Sequence, residues 1–582
     1  MNKSTTQEMN FGHLAPYQQR RFVPALAQLE DQKEVTTLYR KLEERRVASA
    51  SDLEQWMLDR SELEAALEQA GAILYIRMTC QTDDSARAQA YKDFITDVVP
   101  GIKMGTDQLN RKFLKMAQQF PLDQRQYAIY LRKIQADVDL FVEANVEIET
   151  NVELLSQEYQ TIMGAMTVEF EGKEQTLPAM GRYLENPDRN LREQAWREMA
   201  RRRLNDKDQL EDIFDKMLVL RCQIAQNAKC RNYIEYKFRS LHRFDYTHED
   251  CHRYHASVEE LVVPLWRNVN QYRRAQMKLT TLKPWDTAVD PQGRGPLKPF
   301  DNVDDLVAGC QKIFAQMDQG FAQQFKEMAS LRLLDLENRK GKAPGGYQST
   351  LDEARKPFIF MNAVGVDGDV RTLLHECGHA FHALACAGNA LVQYRHGPME
   401  FNEVASMAME LLADPYLSVF YHDDDVHRSS WAHWEDVIMI LVWVATIDCF
   451  QQWIYEHPQH TRQQRREAWL NIRQRFGSDV VDWQGLEEEH AYLWHRQLHI
   501  FEYPFYYIEY GIAQLGALQV WRNSQQQGAG ALANFKKALA LGGSHPLPEL
   551  YRTADIHFDF TQKTIAPLME AANRELEQLQ KF

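Results

Sequence analysis

Thr372-Leu373-Leu374-His375-Glu376-Cys377-Gly378-His379-Ala380-Phe381-His382-Ala383-Leu384-Ala385-Cys386 decides the reading of this chain. No proline falls between Arg371 and Ala387, and the flanks are mostly good helix formers, so the segment reads as one helix. On a helix His375 and His379 are one turn apart and share a face, where both imidazoles can hold a single zinc ion. Glu376 sits beside the first and can act as a base on a water at that ion. Gly378 interrupts the helix formers at a cost of about 1 kcal/mol, which points to close approach of another backbone or of a bound chain.

Catalytic zinc takes three protein ligands and leaves a fourth position open. His382 lies seven residues after His375, about 10 Å along the axis, too far for one straight helix to bring all three imidazoles to one ion. It is expected in the core or behind a ligand. A third histidine six residues after His379 is also absent, because that position is Ala385. A glutamate on a following helix remains. In the largely apolar run Met399 to Leu412, Glu403 and Glu410 are seven apart on one face, where an unpaired carboxylate would be costly. Glu403 is the expected third ligand and Glu410 the acceptor that orients a ligand imidazole. Glu400, nearer the turn, is expected to be solvated.

With Asp369-Val370-Arg371 ahead of the motif and Glu403, in Asn402-Glu403-Val404-Ala405-Ser406, 24 residues after His379, the chain resembles the oligoendopeptidase F and thimet oligopeptidase family, and most of all its bacterial oligoendopeptidase F branch. The resemblance extends to Glu169-Phe170-Glu171-Gly172-Lys173, to Lys283-Pro284-Trp285-Asp286 and to Phe505-Tyr506-Tyr507-Ile508-Glu509-Tyr510-Gly511. It implies a mainly helical, two-lobed ellipsoid with a deep substrate channel and a few short strands near the active site. It further implies a zinc metalloendopeptidase, with one ion per chain, that cuts internal bonds of short peptides.

The same resemblance implies catalytic roles near the carboxy terminus. Tyr503, Tyr507 and Tyr510 follow helical i, i+4, i+7 spacing, and thimet-like relatives carry a similarly spaced trio shortly after a histidine. His499, Tyr507 and Tyr510 are therefore expected to act on the reacting carbonyl. Tyr503 and Tyr506 are expected substrate contacts, and Tyr506 is also an alternative to Tyr507. Pro504 interrupts the pattern, and the gap from His499 to Tyr503 is one residue short of the thimet-like spacing.

Two further pieces are candidates for the substrate wall. Lys342-Ala343-Pro344-Gly345-Gly346-Tyr347 is a glycine turn, and Pro357 to Asn362 is a β-prone run in which Phe360 would lie on an edge strand able to pair with an extended peptide. Gly345, Gly346, Tyr347 and Phe360 are the substrate-contact candidates. Around Thr167 to Leu177 alternation with a Glu171-Gly172 turn predicts a small hairpin, and the proline- and glycine-rich stretch Lys283 to Pro299 reads as a surface loop rather than a linker. An amino-terminal helical lobe over residues 1–200 and a catalytic lobe over 201–582 are expected.

The net charge of -15 shows no basic stripe, so nucleic acid is not an expected partner. Eight cysteines without a close CxxC pair suit reduced thiols in the cytoplasm. Met1 to Glu8 has no apolar signal core, and the apolar run Val437 to Ile447 is too short to cross a bilayer, so no membrane is expected.

Overall fold

The computed structural model describes residues 14–580, apart from 340, 344 and 423. Met1 to Glu8 and Pro344 of the glycine turn lie outside the described residues. The chain is about 70% helical, with five short strands among the described residues. It forms two compact units, each assembled from three separated segments: residues 1–138, 298–426 and 516–558, and residues 139–297, 427–515 and 559–582. The expected division near residue 200 falls instead inside the helix Arg189–Asn205 of the second unit. The loop expected to be surface rather than linker contains one of the crossings, at Leu297/Lys298, and its head is not at the surface. Trp285 and Asp286 are buried, the carboxylate of Asp286 being held by Arg189 and Arg192.

In the first unit, the helices Gln32–Glu44 and Ala50–Cys80 start from Asp31 and Ser49, whose side chains accept from the first free backbone N–H groups. Their apolar faces meet those of Val99–Gln119 and Gln124–Leu140 in a core that includes Leu42, Trp56, Leu63, Phe113 and Tyr130. A three-stranded sheet of β3 (Leu334–Glu337), β4 (Tyr347–Leu351) and β5 (Lys356–Ala363) has the order β3-β5-β4, with β3 parallel and β4 antiparallel to β5. Thr79 and Gln69 of the long helix hold it, through Thr79 Oγ1 to the Tyr347 hydroxyl at 2.6 Å and Ala354 N to Gln69 Oε1 at 2.8 Å.

The strand carrying Phe360 is therefore the central one and not an edge. Phe358, Ile359 and Phe360 are fully buried, as a continuous apolar run requires of a strand covered on both faces, and Phe360 stacks on Tyr347. The edge position belongs to β4.

The second unit carries the hairpin β1 (Thr167–Phe170) and β2 (Lys173–Thr176), joined by Glu171 and Gly172, both at positive φ as a two-residue turn demands. It also contains most of the helix Asp424–Glu456, which runs through the apolar stretch expected to be too short for a membrane. This helix is long and apolar enough to cross one, yet 72% of its most apolar window is buried inside the protein, the pattern of a core helix.

Candidate metal centre

The motif lies on the helix Asp367–Cys386. Asp369 Oδ2 accepts the backbone N–H groups of Val364, Gly365 and Val366, at 2.8, 2.8 and 3.0 Å, and so fixes how the chain leaves β5 and enters the helix. Arg371 pairs with Asp414 at 2.8 Å, tying the motif helix to the end of the next one, Met399–Ala413. These two helices cross at Gly378. A Cβ there would stand 2.5 Å from both Ala405 O and Ser406 Cα, so only glycine lets the backbones come this close.

That approach brings Glu403 to the histidines. Its Oε2 lies 3.5 Å from His375 Nε2 and 3.6 Å from His379 Nε2, and the three donor atoms all fall within 4.8 Å of one another. Glu410, one face-repeat further on, accepts from His375 Nδ1 at 2.7 Å. Ser406 Oγ donates to the Glu403 carboxylate at 3.0 Å. Burial opposes charge on His375, but hydrogen bonds to Glu403 and Glu410 outweigh it and raise its pKa. Burial takes His379 the other way, down to about 4. Glu403 is held down to about 2 against its burial by the His379 and His375 rings. Two carboxylates focused on two imidazoles make a site whose negative charge suits a cation.

Glu376 is 7% exposed, and burial pushes its carboxyl up to about 7, with the backbone of Gln348 on β4 nearby. The edge strand thus runs close to Glu376. Cys377 is buried and has no part in the donor group, and His382 is buried with burial driving it down to about 3, its ring against Phe401 and Gly397. Glu400 departs from expectation: it is 3% exposed, near Lys133 and Tyr551, because helices distant in sequence close over the first turn of its helix.

Gly345 sits at φ +95, and a Cβ on Gly346 would lie 3.3 Å from Thr372 Cγ2, so the glycine turn passes tightly over the motif helix. Tyr347 is partly exposed.

In the second unit His499 is ringed by tyrosines, with centroids 6.3, 5.8, 4.8 and 5.9 Å from Tyr503, Tyr506, Tyr507 and Tyr510. The expected continuous helix is not what gathers them. The chain turns at Pro504 and at Phe505, whose φ is +65, and the helix Ile508–Gln527 starts only beyond Tyr507. Arg243 anchors that turn by donating to Phe505 O and Glu509 Oε1. Tyr503 is 54% exposed, while Tyr507 is buried near Trp443 and Gln497.

Sequence reasoning missed a second His-carboxylate group, His396 with Asp352 at 3.0 Å and Glu68 at 3.6 Å, because its members come from three unrelated segments. Arg395, 3.8 Å from Asp352, already places a positive charge against it.

A helical protein in which a His-Glu-x-x-His helix and a glutamate helix converge their donors has the build of a metallopeptidase. The chain belongs to peptidase family M3: residues 182–570 match the family's own model and residues 25–141 that of the peptidase M3 N-terminal domain. By family its class is that of the metalloendopeptidases. A crystal structure of a protein assigned as oligoendopeptidase F aligns at a TM-score of 0.87 and 27% identity, covering 98% of this chain and 99% of its own. PZ peptidase A, solved with an inhibitor, aligns at 0.85 and 26%, covering 96% and 99%. The chromosomal oligoendopeptidase F of Lactococcus lactis subsp. cremoris is 25% identical over 177 residues, 30% of this chain and only 28% of that protein's length.

Proposed function

We propose that this chain is a zinc-dependent endopeptidase of short peptides, with one ion held by His375, His379 and Glu403. The carrying observation is the convergence of those three donors. Ligands about 2.0–2.2 Å from a tetrahedral zinc lie roughly 3.3–3.6 Å apart, and the separations of 3.5 and 3.6 Å from Glu403 Oε2 fit that spacing. Nitrogen and carboxylate donors, with no thiolate, suit a catalytic rather than a structural zinc.

When bound, zinc would supply Lewis acidity, lowering the pKa of a water and polarising a peptide carbonyl. Glu376, buried so that its carboxyl is pushed up to about 7, takes the proton of the attacking water and returns it to the leaving amine. Glu410 accepts from His375 Nδ1, which leaves Nε2 as the ligand atom and fixes the ring. Extended substrate backbone pairs with the outer edge of β4, giving affinity with little side-chain preference, and Gly345, Gly346 and Tyr347 lie at the head of that strand. The roles of His499, Tyr510 and Tyr507 or Tyr506 as donors to the developing oxyanion rest on the family resemblance. Tyr510→Phe is expected to lower kcat with little change in KM, as loss of a bond made only in the transition state would.

All eight cysteines are unpaired, which supports a reducing, cytoplasmic setting. The test is cleavage of an internally quenched peptide blocked at both ends, alongside metal analysis. Cleavage that stops on chelation and returns with zinc supports the reading. Cleavage only of peptides with a free terminus would make the enzyme an exopeptidase, and chelator-insensitive turnover would remove the metal from the mechanism.

A further inference from the structure

In the unit that carries His499, buried arginines are answered. Arg192 pairs with Asp286, Arg243 with Glu509, Arg273 with Glu435 and Arg465 with Glu211, while Arg221 donates to Tyr455 and to main-chain carbonyls. Arg203, Arg473 and Arg496 are different: among the described residues none of them has a carboxylate partner. Among the described residues their side chains make no hydrogen bond, whereas Arg221, Arg243 and Arg465, whose Nε atoms are likewise buried without an acceptor, each have another donor met. Arg473 and Arg496 converge on one indole, their guanidinium carbons 5.2 and 5.5 Å from the Trp443 ring, and Arg473 also lies 6.0 Å from Trp469. The side chain of Arg496 remains open to solvent. Burial together with the charge of Arg496 pulls Arg473 down to about 9 and Arg203 down to about 10.

Aromatic faces offset part of the desolvation of Arg473, but they do not satisfy its N–H donors or cancel the repulsion from Arg496. A single small acceptor between the two would do both. We propose that Arg473 and Arg496 form a binding site for a small monovalent anion, entered past Arg496 and backed by Trp443. A halide from solution and the carboxylate of a peptide share this chemistry.

The site is wired to the tyrosine cluster. Trp443 Nε1 donates to Gln497 Oε1 at 3.0 Å, and Gln497 Nε2 meets His499 Nδ1 at 2.8 Å. An occupied site therefore steadies the indole from which the orientation of His499 is set. Any consequence for turnover rests on the function proposed above, whereas binding itself does not.

The test follows the melting temperature of the full chain at constant ionic strength, with the bulky anion of MES replaced stepwise by chloride or, separately, by N-acetylglycine. Binding to the native state alone raises the midpoint. A saturable rise of a few degrees is expected for the unmodified protein, absent in Arg496→Gln and in Arg473→Gln, and kept in Arg466→Gln, whose side chain pairs with Tyr492. A response to chloride assigns the site to solution halide. A response to N-acetylglycine alone assigns it to a peptide carboxylate, and Arg496→Gln should then raise KM for peptides with a free carboxy terminus but not for their amides. No saturable response to either probe, or a response undiminished in both arginine variants, overturns the proposal. Because melting is read without substrate, failure here leaves the peptidase reading standing, and loss of peptidase activity leaves the anion site standing.

Discussion

Replacing Glu376 by Gln keeps the shape of the side chain while removing the proton acceptor. A fall in kcat of about 10²–10⁴-fold is expected, with the metal content unchanged; retained turnover in a metal-loaded Glu376→Gln enzyme would dismiss Glu376 as the base. Glu410→Ala acts one step back, on the ring rather than the ion. It should weaken zinc retention by about 10–100-fold in chelator competition, less than Glu403→Ala, which deletes a donor outright. These residues were legible because their spacing is local: four residues fix two imidazoles on one helical face, and an acidic pair seven apart in an apolar run has to face inward for a reason. Glu400 was not legible. Its burial is decided by Lys133 and Tyr551, contributed from far along the chain.

At the scale of elements, the centre exists because two helices touch at Gly378. Gly378→Ala gains about 1 kcal/mol of helix propensity but drives a methyl into the main chain of Ala405 and Ser406, which cannot swing aside as a side chain can. The expected result is a lower melting temperature and weaker zinc binding together. Gly368→Ala, on the same helix with open space around it, should be neutral or stabilising; equal losses in the two variants would refute the crossing as the cause. The sequence signalled this contact through a glycine in an otherwise good helix. It misled for β5, where the run Phe358 to Met361 shows β preference without revealing which of its neighbours takes the edge, a choice made by the pairing of β3 and β4 from either side. Near Tyr503 the 3.6-residue period was present but Pro504 and Phe505 break the helix, so the tyrosines reach His499 by a turn.

Across the whole molecule, the helical class and the motif were readable, whereas the division of the chain was not, since each compact unit is closed by segments hundreds of residues apart. A single boundary is the natural guess from sequence because periodicity reports which residues are buried, not against what. The consequence can be tested with a fragment comprising residues 201–582, which holds every proposed zinc ligand and Glu376. It lacks the helix Ala50–Cys80, whose Gln69 and Thr79 hydrogen-bond the sheet beside the motif helix and whose Ser61 Oγ accepts the Val392 N–H at 2.7 Å. It also lacks the apolar core around Trp56, Leu63 and Phe113, leaving Leu391 and Tyr394 without most of the cluster they pack in. The fragment is therefore expected to be insoluble or to lack a cooperative melting transition, and to bind no stoichiometric zinc. Co-expression with residues 1–200 should restore both if the missing segments act by packing alone. A soluble, zinc-binding 201–582 fragment with a sharp transition would instead show that the first unit closes without its amino-terminal helices.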